Sequence, residues 1–276
     1  VEIMTANNTT APSQLQIDYL SAHSSFVIQL KNAGFEKLLR NSADLIIVDA
    51  DDVSFSAKEL AELTSKKTVL AYVSIGEAEE RREYWRSYWA PNSPEWLYKE
   101  NPEHPGEYQV RYWYAEWQNI VFQHLAELLV DGYSGVYLDT ADAPLFWEFK
   151  NEPEAKQFMI DFLKKLSVSA QEIRSNALVF VQGSDVLVSD KLYLESIDGI
   201  GSEDVWFDDD ARVSEEDSEK TLLYLDMVRA ANKTVLVIDY PSDKKKRCEV
   251  RAKAQEKTYL AYTPTRELDK IVSVNC

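Results

Sequence analysis

The segment GYSGVYLDTADA, residues 132–143, decides the fold. Its centre, GVYLD, is a short apolar run closed by a carboxylate, Asp139. The same pattern returns along the chain. LIIVD closes on Asp49, VLAYVSIGE on Glu77, LVFVQ on Gln182, GIGSE on Glu203 and VLVID on Asp239. Nearly continuous apolar runs of this length read as parallel strands covered on both faces. FVIQL at 26–30 and TYLAYT at 258–263 bring the number of candidate strands to eight.

Helical patterns fill the intervals. Ser56 and Glu59 fit a capping box at the start of a helix after the second strand. Trp117, Ile120, Val121, Leu125, Leu128 and Leu129 make one apolar face over 114–130. Phe158, Met159, Phe162, Leu163 and Leu166 repeat that spacing in the next interval. A short helix is expected near 190–196, and Ser214 and Asp217 open another through about 230. A charged helix through about 256 follows the seventh strand, and a short helix is expected at the C-terminus. Strand and helix alternating eight times predict a (β/α)₈ TIM barrel, an α/β fold. A doubly wound open sheet is the alternative, but the chain has neither its GxGxxG fingerprint nor a P-loop. Residues 23–276 are read as one barrel domain with an aromatic-rich insertion at about 78–113, after a polar leader at 1–22.

Composition narrows the function. The chain has 276 residues, is 45% hydrophobic and carries a net charge of −17. That charge argues against nucleic acid as a partner, because phosphates are bound by Lys and Arg. It favours cationic or neutral partners, or simply solubility. No apolar stretch is long enough to span a membrane. Oligomeric state is left open. Cys248 and Cys276 are either free thiols or one disulfide in an oxidising compartment. The polar leader, with Asn7 and Asn8 in N-x-T triplets, fits a processed export signal and a secreted or cell-envelope protein.

In a (β/α)₈ barrel, chemistry sits at the C-terminal ends of the strands. Asp49, Glu77, Asp139, Gln182, Glu203 and Asp239 are all expected there. Two carboxyls facing each other cleave a glycosidic bond, one protonating the leaving oxygen and the other attacking or activating water. Carboxylates on several strands could instead hold Mg²⁺ for a lyase or aldolase, and a carbohydrate-binding barrel without turnover is the third reading. The segment after the third strand favours a sugar. It holds Trp85, Trp89, Trp96, Trp113 and Trp117, and flat aromatics with a polar edge stack on sugar rings. Most of these are expected to form a small core, with Tyr112 and Trp113 at the mouth. His23, His104 and His124 lack metal-ligand spacing, and there is no G-x-S-x-G elbow. No metal or cofactor is expected.

YVSIGEAEERREYW, PEWLYKENPEHPGEYQVRYW and GYSGVYLDTADA resemble glycoside hydrolase family 114, the endo-α-1,4-polygalactosaminidase-like proteins, in its bacterial and archaeal branch. The likeness covers roughly residues 25–265. It implies a (β/α)₈ barrel and a polysaccharide or oligosaccharide substrate containing α-linked galactosamine. It also implies Asp139 as nucleophile and Glu203 as general acid/base. Asp49, Glu77 and Asp239 fall where the cleft is expected, with Tyr72, Asp142 and Tyr240 as further candidates. Two positions depart from the resemblance. SIGEAEE replaces the Ser/Gly/Tyr turn of the fungal enzymes, and Gly183 follows Gln182 where many relatives carry Asn.

Overall fold

The computed structural model describes residues 25–89, 92–273 and 275–276. The polar leader, its two sequons and His23 lie outside the described residues.

Eight parallel strands form one sheet. They are β1 (Phe26–Gln29), β2 (Leu45–Val48), β3 (Thr68–Ser74) and β7 (Gly135–Asp139), then β8 (Leu178–Gln182), β9 (Gly199–Glu203), β12 (Thr234–Ile238) and β13 (Leu260–Tyr262). They lie side by side in chain order, and every neighbouring pair is parallel. β1 and β13 face each other across the seam, where the Phe26 and Tyr262 rings meet edge to face at 5.9 Å. The sheet curls into a nearly closed (β/α)₈ barrel, as the alternation of strand and helix predicts. β2, β8 and β12 are buried throughout their length, which explains their unbroken apolar sequence.

The crossover helices are α1 (Phe35–Arg40), α2 (Ala57–Lys66), α3 (Ala115–Asp131), α4 (Pro144–Phe149) and α5 (Ala155–Ile173). α6 (Lys191–Ser196), α7 (Glu215–Ala230) and α8 (Lys244–Glu256) complete the set. α2 opens on the expected capping box: Ser56 Oγ accepts from Glu59 N–H while the Glu59 carboxylate accepts from Ser56 N–H. Ser214 caps α7 by accepting from Asp217 N–H. The six-residue α1 is not announced by the apolar spacing.

Three parts of the fold differ from the reading. β3 ends at Ser74, and Glu77 opens a separate three-stranded antiparallel sheet. Its strands are β4 (Glu77–Glu79), β5 (Leu97–Glu100) and β6 (Glu107–Val110), with β6 in the middle. A two-stranded hairpin, β10 (Phe207–Asp208) with β11 (Ala211–Arg212), follows β9. The tail after β13 forms no helix among the described residues. Its backbone is used elsewhere: the Leu268 carbonyl accepts from Leu30 and Lys31 N–H, and the Asp269 carbonyl from Gln29 Nε2.

Of the two states left open for the cysteines, the structure shows the disulfide. Cys248 on α8 is bonded to Cys276. It closes a loop with a sequence separation of 28. Such a cross-link restricts the unfolded chain, a contribution of about 3 kcal/mol for a loop of this order. Urea unfolding of a Cys248→Ser/Cys276→Ser double variant is expected to show that loss as a lower midpoint, with a steeper slope because the released unfolded chain exposes more surface.

Candidate active site

Side chains two residues apart on a strand point the same way, so each strand-end residue shares its face with the residue two before it. Tyr137 lies beneath Asp139, and Gly201 beneath Glu203. Tyr137 is buried and donates to Gln182 Oε1 at the end of the neighbouring strand β8. Gly201 leaves the room this needs. A Cβ there would overlap both the Tyr137 hydroxyl and the Gln182 amide oxygen.

Asp139 is held from two sides. Its Oδ2 accepts from the Tyr72 hydroxyl at 2.7 Å, and its Oδ1 from Thr140 N–H at 2.7 Å. Thr140 adopts a left-handed backbone with φ of 59°. It is pinned by its hydroxyl, which accepts from Gly76 N–H at 2.7 Å and lies 3.0 Å from Ser74 Oγ. Gly76 must be glycine, since a Cβ would meet the Thr140 carbonyl. Burial raises the Asp139 carboxyl above its ordinary value; the two hydrogen bonds pull it down, and the Glu79 charge adds to the rise.

Glu203 accepts a hydrogen bond from the Tyr240 hydroxyl. The residue as a whole is exposed at the rim. Its carboxyl nevertheless sits in a concave mouth among other groups, and desolvation there is the main reason it is pushed up to about 7. Tyr240 opposes the rise, Asp139 and Asp204 add to it, and Arg266 opposes it.

Asp139 and Glu203 line one cavity of about 280 Å³ with Asp142, Gln182, Gly183, Asp185, Ser202 and Thr221. Four carboxylates face this space, and its lining includes no Lys or Arg. Burial, then the Asp139 charge, pushes Asp142 up to about 6. Asp185, on the turn after β8, is likewise raised by burial. Asp185 and Tyr137 were missed in the sequence. Tyr137 was findable from its place two residues before Asp139. Asp185 lies in a turn, which carries no periodicity.

The expected ring of six strand-end groups is therefore not one set. Asp49 is 1% exposed and bound to Arg82 Nη1 at 2.6 Å and Arg81 Nη2 at 2.8 Å. Burial alone would raise it, but the arginines outweigh burial and hold it below the ordinary carboxylate range. Asp239 is fully buried and accepts from Val205, Trp206 and Phe207 N–H at 2.8–3.0 Å. Both acids fasten loops to the rim rather than present charge to a ligand. Glu77 accepts from Asn101 Nδ2 at 2.8 Å and pairs with Glu107 on β6. Burial and the Glu107 carboxylate push it up to about 7.

Tyr112 and Trp113 also sit away from the mouth. Tyr112 is fully buried, and its hydroxyl donates to the Ala155 carbonyl at 2.8 Å. Trp113 packs on Tyr112, Trp147 and Phe158 with ring centroids 5.1–5.3 Å apart. Trp85, Trp89, Trp96 and Trp117 form a second run of ring contacts. The aromatics of the insertion pack on one another and on the helices that follow, within the same core as the barrel.

Comparison with known proteins agrees with this architecture. The model of "Glycoside-hydrolase family GH114" matches residues 5–276. An uncharacterized protein of Methanocaldococcus jannaschii is 33% identical over 265 residues, 88% of this chain and 76% of that protein. An uncharacterized protein of Thermotoga maritima is 30% identical over 230 residues, 79% and 71% of the two chains. The glycoside hydrolase domain of PelA from Pseudomonas aeruginosa superposes with a TM-score of 0.73 at 18% identity, covering 90% of this chain and 96% of that one. Aspergillus fumigatus Ega3, solved in complex with galactosamine, gives a TM-score of 0.68 at 15% identity over the whole of both chains.

Arg82 is the test of the structural half of the rim. Removing one partner of a buried ion pair strands the other charge, at a cost of about 3–5 kcal/mol. Arg82→Ala is expected to lower stability on that scale in denaturant titration. Arg40→Ala, whose partner Glu36 is exposed, should leave it nearly unchanged.

Proposed function

The chain belongs to glycoside hydrolase family GH114, and from that premise we propose that it hydrolyses a cationic, galactosamine-containing polysaccharide with Asp139 and Glu203. That it is a glycosidase follows from the family; the substrate and the two roles are our reading. The observation that carries the reading is the 280 Å³ cavity with both acids in its wall.

The Asp139 charge adds to the rise of Glu203. Hydrogen bonding sets the two acids apart. Asp139 accepts two hydrogen bonds that favour its ionised form, from Tyr72 and Thr140. Glu203 accepts one, from Tyr240. Glu203 therefore keeps its proton near neutral pH and gives it to the leaving oxygen. Asp139, ionised, attacks the anomeric carbon. The C–O bond to the leaving group breaks as the bond to Asp139 forms. Glu203, now a base, takes a proton from water as that water cleaves the glycosyl ester.

The cavity also supports a cationic sugar. Asp142 and Asp185 stand beside the catalytic pair with no cationic side chain in the lining. An ammonium group on the substrate would relieve that repulsion. The same reading fits Ega3, which was solved with galactosamine. The Cys248–Cys276 disulfide supports work in an oxidising compartment, at the envelope or outside the cell.

Glu203→Gln is expected to lower kcat by about 10²–10⁴, the scale of general acid/base catalysis, and Asp139→Asn by at least as much. Both are read as reducing ends released from an α-1,4-galactosamine polymer. Full activity in either variant would overturn the roles. Because Glu203 is raised to about 7, kcat/KM should fall as pH rises through about 7, where the acid loses its proton. It should fall again at lower pH, where Asp139 becomes protonated. Cleavage should also weaken as the polymer is N-acetylated and as salt is added, since both remove the charge attraction. Equal rates on fully acetylated and fully deacetylated polymer would exclude the cationic substrate.

A further inference from the structure

Three neighbouring strands of the barrel, β9, β12 and β13, deliver three side chains to one place on the rim. They are Glu203, Tyr240 just past β12, and Arg266 in the loop after β13. We propose that Arg266 is a positioning residue for the catalytic acid, fixing the Tyr240 ring against Glu203 and tying down the acidic turn beside it. The proposal rests on the reading of Glu203 as the acid.

The guanidinium carbon of Arg266 lies 4.3 Å from the centroid of the Tyr240 ring, well inside the range of a cation–π contact. Tyr240 is 7% exposed, and its hydroxyl is the donor to Glu203. A phenol can aim its O–H only if its ring is held, and Arg266 covers the face of that ring. The edge of the same guanidinium is committed as well. Its Nε donates to Asp209 Oδ1 at 2.5 Å, and Nη2 donates to Asp204 Oδ1 at 2.9 Å and to Asp208. Nη1 donates to Asp204 Oδ2 at 3.3 Å. Asp204 and Asp209 also hold left-handed backbones, with φ of 51° and 47°. Conformations of that kind persist where the surroundings fix them, and they gather at functional sites.

Asp204 follows Glu203 directly, so whatever holds Asp204 also sets the end of β9. The groups that act on Glu203 are Asp139 and Tyr137 from β7, Tyr240 from β12, Asp204 next to it, and Arg266. Arg266 is the cationic member of that set. Without it, the ring that donates to Glu203 loses its cover, and the Asp204 charge acts on the acid uncompensated. A lysine would supply the charge but neither the flat face for Tyr240 nor the fork for three carboxylates.

The test is the carboxyl titration of Glu203, followed by ¹³C NMR on glutamate-labelled protein, with the Glu203→Gln spectrum assigning the signal. Arg266→Gln is expected to raise the Glu203 midpoint by about one pH unit, the scale of one nearby charge. Arg266→Lys should fall between that variant and the parent. It also carries the test if Arg266→Gln does not fold. In turnover, the alkaline limb of the kcat profile should move up with the midpoint, with KM little changed. A Glu203 midpoint equal in the parent and in every folded Arg266 variant overturns the proposal. The NMR readout needs no substrate. If no form of the protein cleaves any glycan and the midpoint still moves, the positioning role stands and the enzymatic reading of Glu203 falls.

Discussion

A parallel barrel brings every strand end to one rim, and carboxylates crowded on one rim cannot all remain ionised without partners. The structure meets this constraint in three ways. Asp49 is neutralised by Arg81 and Arg82, which reach it from the insertion after β3. Asp239 is buried against three backbone N–H donors of the segment that follows β9. Asp139, Asp142, Asp185 and Glu203 keep their place around the cavity with raised proton affinities. This last group lines the cavity, while Asp49 and Asp239 have been given structural work; Glu77, also pushed up to about 7, stands outside that lining with Asn101 and Glu107.

That division explains what was legible in the sequence and what was not. The barrel was legible, because strand burial is continuous and the apolar runs say so. The pair Asp139 and Glu203 was singled out by motif resemblance, and position alone would not have separated it from Asp49 or Asp239. All four close an apolar run. What separates them is the far partner: Arg82 lies 33 residues from Asp49, and Val205 lies 34 from Asp239. No local pattern carries such pairings. Tyr112 and Trp113 were misplaced for a related reason. An aromatic-rich loop has the same composition whether its rings face a ligand or one another, and here Trp147 and Phe158 on later helices claim Trp113.

The insertion between β3 and α3 does more than decorate the rim. Its antiparallel sheet buries Ala78 and Val110, and its Trp96 ring lies 5.1 Å from that of Trp117 on α3. Trp117 in turn donates to the Ile75 carbonyl at the end of β3. Glu79 and Arg82 of the same segment pair with each other, and Arg82 reaches Asp49 and Asp51. The insertion is thereby anchored at two points, one apolar and one ionic, on either side of the strand that carries Tyr72. β3 thus carries both an anchor of the insertion and the tyrosine that donates to Asp139.

Three tyrosines finish the site, and their chemistry suits the task. Tyr72 donates to Asp139, Tyr137 to Gln182 and Tyr240 to Glu203. Burial and neighbouring carboxylates raise all three phenols well above their ordinary range. They therefore remain donors at any pH where the carboxyls change state. A histidine or lysine in these positions would add its own titration to that of the acids. With phenols, the proton count of the site changes only at the carboxyls. The hydrogen-bond frame then stays fixed while one acid gives up its proton and takes it back, as a two-carboxylate mechanism requires.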